Sequence, residues 1–321
     1  MRVAFFGTTL FSCAVLKSLL ASQHQVVAVV TQPDQPAGRR MEICPTPVCG
    51  EALVTHLPLL KPERIRNNRA FRQELASHSP EAFMVASFGQ IISSKTLELT
   101  AHPLNVHPSA LPLLRGASPL RSTLLQGLSE TQCCIMRMTP RMDDGDVLLR
   151  EGLVVDPHWN FAQLSEAMAA VASRLAIEAL DQVSAGTAEY EPQDHSQATY
   201  CTMYGRTHTW IDWRRTAAEL YCFIRAWDPD IGALTLLPDG QRLKIWRARI
   251  QPPPQDLVLP PSTAPGTVLA VSKKAAWVAT GDGALRVMEV QPPGKSRMPM
   301  ASFLAGHDLA AGQRLGGPPA D

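Results

Sequence analysis

Asparagine, histidine and aspartate side chains that could act together in catalysis occur in two short segments. Asn105 and His107 are separated by one residue, and Asp143 lies in the turn-like segment 142–146. On a strand, Asn105 and His107 would point to the same face, because side chains alternate. An amide N–H can stabilise an oxyanion, an imidazole can move protons near neutral pH, and a carboxylate can orient that imidazole. The set suits acyl transfer to an amine.

The elements that must position these residues follow an alternating strand and helix pattern. Residues 2–6, 25–31 and 82–86 are apolar runs typical of strands buried on both faces. Residues 11–22 repeat apolar side chains at helical spacing. The pattern predicts an α/β fold with an open, mostly parallel, Rossmann-like sheet. In such sheets ligands bind at the carboxyl ends of the strands.

The second half of the chain has a different pattern. Residues 160–184 and 216–227 are predicted helices, and the weakly patterned segment between them, 187–206, is predicted to be a linker. Short strands separated by turn signals are predicted at residues 233–237, 242–250, 266–270, 276–280 and 284–291. This pattern is typical of a small, OB-like β-barrel. We therefore expect a catalytic domain over 1–186, a linker over 187–206 and a barrel domain over 207–321.

Composition excludes several classes of protein. The 321 residues are 45% apolar and 18% charged, with a net charge of +1, as in a globular protein without a polycationic tail. The apolar runs are too short to span a bilayer, and the first one is interrupted at Gly7, too early for a signal peptide. A cytoplasmic protein is expected. The seven cysteines lack Cys-x-x-Cys spacing, so neither a zinc site nor a disulfide framework is expected.

Further short segments occur in order along almost the whole chain. They are Phe6-Gly7-Thr8, 31–39 (TQPDQPAGR), 45–48 (PTPV), 86–90 (ASFGQ), 105–107 (NVH), 115–119 (RGASP), 142–146 (MDDGD), 211–213 (IDW), 224–227 (IRAW), 264–267 (APGT) and 291–295 (QPPGK). Each is weak evidence alone, but the ordered set is specific. In this combination the chain resembles the methionyl-tRNA formyltransferases.

This resemblance implies a reaction and its participants. The formyl donor would be 10-formyltetrahydrofolate and the acceptor the α-amine of methionyl initiator tRNA, with no metal involved and a monomer expected. Asn105, His107 and Asp143 would be catalytic. The folate-contacting loop would be Ser109, Ala110, Leu111 and Pro112, and the loop that enters the tRNA acceptor end would carry Arg39 and Arg40. In the barrel domain the candidate tRNA backbone contacts are Arg242, Lys244, Arg247, Arg249, Lys273, Lys274, Lys295 and Arg297.

The chain also departs from the family pattern near these sites. Met41 and Glu42 stand where the tRNA loop typically carries lysines, and Cys49 replaces another lysine, so less positive charge would face the acceptor arm. Asp144 replaces a threonine and adds a charge beside Asp143. These changes leave the three catalytic residue types in place.

Two other functions fit the same residues. The first is a folate-dependent formyltransferase or formyl hydrolase that acts on a small-molecule amine or on water. The second is a non-catalytic relative that binds folate or RNA. The segments 211–213, 224–227 and 291–295 favour the tRNA-directed enzyme, because a small-molecule relative is expected to have a shorter or unrelated C-terminal region.

Overall fold

The computed structural model describes residues 1–37, 42–254 and 263–317, which form two compact units. Unit 1 comprises residues 1–119, 130–155 and 165–202, and unit 2 comprises residues 120–129, 156–164 and the described residues from 203 onward. Of the segment 187–206, which the sequence predicts to be a linker, residues 187–202 belong to unit 1. The domain boundaries at residues 186 and 206 stay a prediction.

The helices and strands are as follows. The strands of unit 1 are β1 (Arg2–Gly7), β2 (Gln25–Val30), β3 (Gln35–Ala37), β4 (Glu42–Cys44), β5 (Leu59–Leu60), β6 (Ala82–Ala86), β7 (His102–His107), β8 (Arg115–Gly116), β9 (Glu130–Arg137), β10 (Val147–Val154) and β11 (Tyr200–Cys201). Those of unit 2 are β12 (Ala233–Leu236), β13 (Arg242–Ile250), β14 (Val268–Val271), β15 (Ala276–Ala279), β16 (Ala284–Gln291) and β17 (Met298–Pro299). The α-helices of the chain are α1 (Leu10–Leu20), α2 (Pro47–Val54), α3 (Arg69–Ser77), α4 (Ser94–Leu97), α5 (Pro119–Leu125), α6 (Phe161–Ala185), α7 (Ala217–Trp227) and α8 (Met300–Leu304), with short 3-10 turns at His195–Gln197 and Arg206–Thr209.

Unit 1 is built on a seven-stranded sheet in the order β10-β9-β7-β6-β1-β2-β5. The strands from β7 to β5 are parallel, and β9 and β10 are antiparallel to their neighbours. Apart from their first residues, β1 and β2 are buried, and β6 is buried throughout, as their unbroken apolar sequences predict. The predicted Rossmann-like, mostly parallel sheet is therefore confirmed.

Hydrogen bonds to one backbone oxygen link the segments that follow three neighbouring strands. The carbonyl oxygen of Phe88, just after β6, accepts a hydrogen bond from the Thr8 hydroxyl at 2.9 Å and another from the Gln32 amide at 2.8 Å. Thr8 follows β1 and Gln32 follows β2. Because two donors share this one acceptor, the segments that follow β1, β2 and β6 are linked at the edge where ligands bind in such sheets.

The proline-rich segment 32–47 is only partly irregular. Prolines at positions 33, 36, 45 and 47 disfavour a helix or a central strand here, and within the described residues β3 and β4 form an antiparallel two-stranded pair. Thr46 then caps α2, accepting from the Cys49 amide, and Pro47 occupies the first turn. Proline suits that position because its missing N–H has no helical partner there. Arg39 and Arg40 lie outside the described residues.

Unit 2 is a closed antiparallel barrel. Its sheet runs β12-β13-β16-β15-β14, with β17 added beside β16. Residues 313–316 bridge the two edges: Leu236 and Gly316 exchange backbone hydrogen bonds of 3.0 and 2.8 Å, and the Val268 amide donates to the Gln313 carbonyl at 2.7 Å. These bonds link the outer edges of β12 and β14 through one segment, as the predicted barrel requires.

The core of unit 2 lies between the barrel and α7. Leu220, Ile224 and Trp227 on one face of this helix are buried with Ile245 of β13. Thr216 caps the helix and forms a capping box with Glu219, which explains why the helix begins there. None of the helices in the described parts of the chain has the length and apolar character that crossing a bilayer requires.

Candidate active site

Strand β7 presents Asn105 and His107 at the carboxyl edge of the sheet. Asn105 lies between Val85 of β6 and Met136 of β9, and His107 lies opposite Cys134 of β9. Hydrogen bonding on both sides fixes the backbone of β7, and the alternation of side chains places both residues on the same face. His107 is only 3% exposed, whereas Asn105 is partly exposed.

The ring of His107 is held by a backbone acceptor and faces a carboxylate. Its Nε2 lies 3.0 Å from the carbonyl oxygen of Leu114. A carbonyl oxygen can only accept, so Nε2 carries a proton. Nδ1 lies 3.7 Å from Oδ2 of Asp143, which is within ion-pair range but too long for a hydrogen bond. Nε2 is therefore occupied by the Leu114 carbonyl, and Nδ1 is the ring nitrogen that faces Asp143 and is left for a substrate.

Asp143 is fixed by its backbone conformation and by a backbone amide. Its φ of +50° lies in the left-handed region, which aspartate tolerates better than most residues. Its Oδ2 accepts a hydrogen bond from the Gly116 amide at 2.8 Å. The side chain is 18% exposed, so the carboxylate is partly accessible. The structure therefore brings His107 and Asp143 together, as their residue types suggested.

One short segment supports both catalytic candidates. Leu114 supplies the acceptor for His107, and Gly116, two residues later, supplies the donor for Asp143. Gly116 has φ of +113°, and a Cβ there would lie 2.4 Å from the carbonyl oxygen of Cys201. Only glycine fits, because β8 must approach β11 closely while adopting a backbone that L-residues avoid.

Two residues without a predicted role complete this support. The Gln193 amide nitrogen donates to the carbonyl oxygens of Asp143 at 3.0 Å and Gly145 at 2.6 Å. Its Oε1 accepts from Nε and Nη2 of Arg115 at 3.2 and 2.7 Å. Sequence reasoning missed Gln193 because it lies in a polar segment without periodicity. Arg115 belongs to one of the matched segments, which was the one available signal.

The predicted folate loop divides into buried and exposed residues. Ser109 and Leu111 are buried, and the Ser109 hydroxyl donates to the Leu113 carbonyl at 2.6 Å. Ala110 and Pro112 are partly exposed, so they have surface that a ligand can touch. Ser109 is thus engaged in holding the loop. The folate contacts themselves stay a prediction.

The additional carboxylate of Asp144 has its own partners. It is buried, pairs with Arg141 and accepts a hydrogen bond from the Thr139 hydroxyl. The added charge is therefore compensated within the loop.

Two consecutive cysteines, Cys133 and Cys134, lie in β9, and Cys134 pairs with His107 across the sheet. Burial raises the pKa of both the Cys133 and the Cys134 thiols. Cys134 donates to the Ser109 carbonyl at 3.2 Å. Both thiols are protonated near neutral pH, so they are packing residues and poor nucleophiles. Among the described residues, no three His, Cys, Asp or Glu side chains are grouped to hold a metal ion.

Unit 2 carries a cavity of about 340 Å³ with a basic lining. Arg247 and Arg249 alternate along β13 with exposed side chains, and Arg225 and Tyr221 of α7 also line the cavity. By contrast, Arg297 is occupied by ion pairs with carboxylates of its own unit. Guanidinium groups can bind a phosphate, and a neighbouring aromatic ring can pack against the adjoining base or sugar.

Comparisons with known proteins cover both units. Residues 1–180 match the family described as formyl transferase, and residues 206–308 match the formyl transferase C-terminal domain. The methionyl-tRNA formyltransferase of Symbiobacterium thermophilum is 40% identical, over 100% of this chain and 97% of that protein. The methionyl-tRNA formyltransferase of Bacillus subtilis is 38% identical over 98% of each chain.

A solved structure resembles the fold over most of the chain. It is the sugar 3N-formyl transferase WlaRD, crystallised in the presence of dTDP and 5-N-formyl-THF. The TM-score is 0.63 at 15% identity, with 92% of this chain and 99% of that chain covered. At this identity the likeness concerns the fold alone.

Proposed function

The chain belongs to the methionyl-tRNA formyltransferase family, and we propose that it transfers the formyl group of 10-formyltetrahydrofolate to the α-amino group of methionyl initiator tRNA. The observation that carries the proposal is the His107–Asp143 pair at the carboxyl edge of the sheet, with Asn105 on the same strand face. The match to relatives over the whole chain, including the barrel unit, supports tRNA as the acceptor.

The reaction needs an electrophile, an oxyanion site and a route for one proton. The amine nitrogen attacks the formyl carbon, forming a carbon–nitrogen bond and a tetrahedral oxyanion. The Asn105 amide and protonated His107 donate to that oxygen, which stabilises the charge as it develops. The carbon–nitrogen bond to the folate then breaks.

The proton released by the amine ends on the departing folate nitrogen. It passes through His107 Nδ1 or through a water held beside Asp143. Nε2 of the same ring stays bonded to the Leu114 carbonyl at 3.0 Å, so the ring keeps one orientation while Nδ1 exchanges its proton. Asp143 stabilises the charged ring from 3.7 Å.

Substrate contacts follow from the exposed surfaces. Ala110 and Pro112 would touch the folate, while Ser109 and Leu111 hold the loop beneath it. Arg39 and Arg40, which lie between β3 and β4 in the sequence, would contact the acceptor end of the tRNA. The basic residues around the barrel cavity would contact tRNA phosphates. The proposed reaction serves translation initiation. The cytoplasmic location and the monomeric state of the enzyme stay predictions.

The decisive experiment compares acceptors with one donor. Purified protein is given 10-formyltetrahydrofolate with methionyl initiator tRNA, methionyl elongator tRNA or free methionine, and the formylated product is quantified. Transfer restricted to initiator tRNA supports the proposal. Consumption of the folate without tRNA formylation would favour a small-molecule amine or water as acceptor. Folate binding without turnover would indicate a non-catalytic relative.

Variants of the two strand residues test the assignment of the site. Asn105→Ala and His107→Ala should slow the single-turnover transfer step far more than they weaken tRNA binding measured by filter retention. Turnover near the wild-type rate in either variant would contradict the assignment, whatever the acceptor.

A further inference from the structure

Gln193 is a buried amide in an otherwise exposed stretch of chain. It is 7% exposed, whereas the other residues of the stretch 191–197 are exposed. Burying an amide is costly unless its polar atoms find partners. The local sequence around Gln193 has no apolar face that would draw this side chain inward. Its burial therefore depends on what it contacts.

Those contacts use the hydrogen-bonding capacity of the side chain fully. Both amide protons go to carbonyl oxygens of the catalytic turn, Asp143 and Gly145, and Oε1 accepts two N–H groups of Arg115. Arg115 is itself only 2% exposed, and its remaining partners are the His195 ring and the Tyr200 hydroxyl. A buried guanidinium without a carboxylate partner in the described parts of the chain depends strongly on neutral acceptors such as Gln193.

The hydrogen bonds form a closed path around Asp143. Gln193 holds the carbonyl oxygen of Asp143, Arg115 holds Gln193, and the residue after Arg115 donates its amide to the Asp143 carboxylate. The backbone carbonyl and the side-chain carboxylate of Asp143 are thus linked to each other through the Gln193 side chain and the segment 115–116. The left-handed backbone of Asp143 is a conformation that needs such external restraint.

We propose that Gln193 is a positioning residue that sets the distance between the Asp143 carboxylate and the His107 ring. This inference rests on the proposed function, because it takes Asp143 and His107 as the catalytic pair. Gln193 touches no reacting atom. It acts by holding the turn that carries Asp143. Loss of Gln193 therefore moves the Asp143 carboxylate away from the His107 ring and leaves the residues that contact the two substrates unchanged.

The test replaces Gln193 by an isosteric side chain that cannot donate. Gln193→Glu keeps the acceptor for Arg115 but sets a carboxylate oxygen against two carbonyl oxygens. We expect kcat to fall about 10- to 100-fold, the range that corresponds to leaving buried polar groups without their hydrogen bonds, with KM for both substrates within about threefold. Gln197→Glu makes the same chemical change at an exposed position four residues away and should leave kcat unchanged.

A double-mutant comparison separates positioning from general structural damage. In an Asp143→Ala background the carboxylate to be positioned is gone, so Gln193→Glu should cost less than about twofold further in single-turnover rate. An equal loss in both backgrounds, or a wild-type kcat in Gln193→Glu, would overturn the proposal. If Gln193→Glu does not fold, Gln193→Met removes the amide without adding charge and serves in the same comparison.

Failure of the positioning role of Gln193 can be distinguished from failure of the proposed function. If Asn105→Ala and His107→Ala abolish transfer while Gln193→Glu does not lower kcat, only the positioning role is wrong. If the Asn105 and His107 variants are fully active, the catalytic assignment itself is wrong.

Discussion

Replacing Asp143 by asparagine tests the electrostatic role of this residue with little change in shape. An asparagine oxygen can still accept the Gly116 amide, so the turn should keep its geometry. What is lost is a full charge 3.7 Å from the ring of His107. At that separation two unit charges attract by about 1 kcal/mol in water and by about 4–5 kcal/mol at an effective dielectric constant near 20.

The expected loss lies between these limits because the Asp143 side chain is 18% exposed. We take about 2–3 kcal/mol of stabilisation of the charged ring in the transition state, which corresponds to a decrease in kcat of about 30- to 150-fold. The assay is single-turnover formyl transfer at saturating 10-formyltetrahydrofolate and methionyl-tRNA, with tRNA affinity measured separately. Affinity should change by less than about threefold, because the charge acts on the transition state.

The matched control is Asp146→Asn in the same turn. Asp146 is partly exposed, and the same loss of charge there should leave kcat within about twofold. A kcat near wild type in Asp143→Asn, or an equal loss in Asp146→Asn, would refute the assignment of the charge to Asp143.

Three further predictions concern other parts of the molecule. Gly116→Ala should lower the free energy of unfolding by about 1–3 kcal/mol in denaturant titrations and slow the transfer step, because a Cβ would collide with the β11 backbone. An unchanged free energy of unfolding and an unchanged transfer rate would contradict this steric argument. A hydrogen bond from Arg297 lowers the pKa of Glu289 below its ordinary 4.5, so this pair should stabilise the fold above pH 4.5 and lose its contribution as the pH falls further. The stability difference between wild type and Glu289→Gln, followed by thermal unfolding, should therefore be present at neutral pH and shrink in acid, and a difference that persists in acid would refute it. The double variant Arg247→Ala, Arg249→Ala should weaken tRNA binding and reduce its salt dependence by about two charges while sparing kcat at saturating tRNA; an unaltered salt slope would exclude phosphate contacts there.

The sequence predicts best what depends on neighbouring residues. Asn105 and His107 are two residues apart, and the alternation of a strand alone places them on one face. The capping box of Thr216 and Glu219 is likewise local, and the predicted helix begins beside it. The barrel strands Arg242–Ile250 and Ala284–Gln291 also have the predicted bounds, because turn residues surround them.

What the sequence does not predict depends on partners far along the chain. Gln193 is buried because Arg115, 78 residues earlier, and the turn at Asp143, 50 residues earlier, need its amide. The left-handed backbone of Asp143 coincides with a hydrogen bond from Gly116, which no local pattern reveals.

The way the barrel closes has a consequence for how the protein is made. Residues 313–316 join the edges of β12 and β14, and they are synthesised after all the strands of this sheet. Until they arrive, both strands expose unpaired N–H and C=O groups, which are templates for association with other chains. The edges of the barrel unit are therefore completed late in synthesis, and nascent chains stalled before residue 313 are the species most in need of chaperone protection.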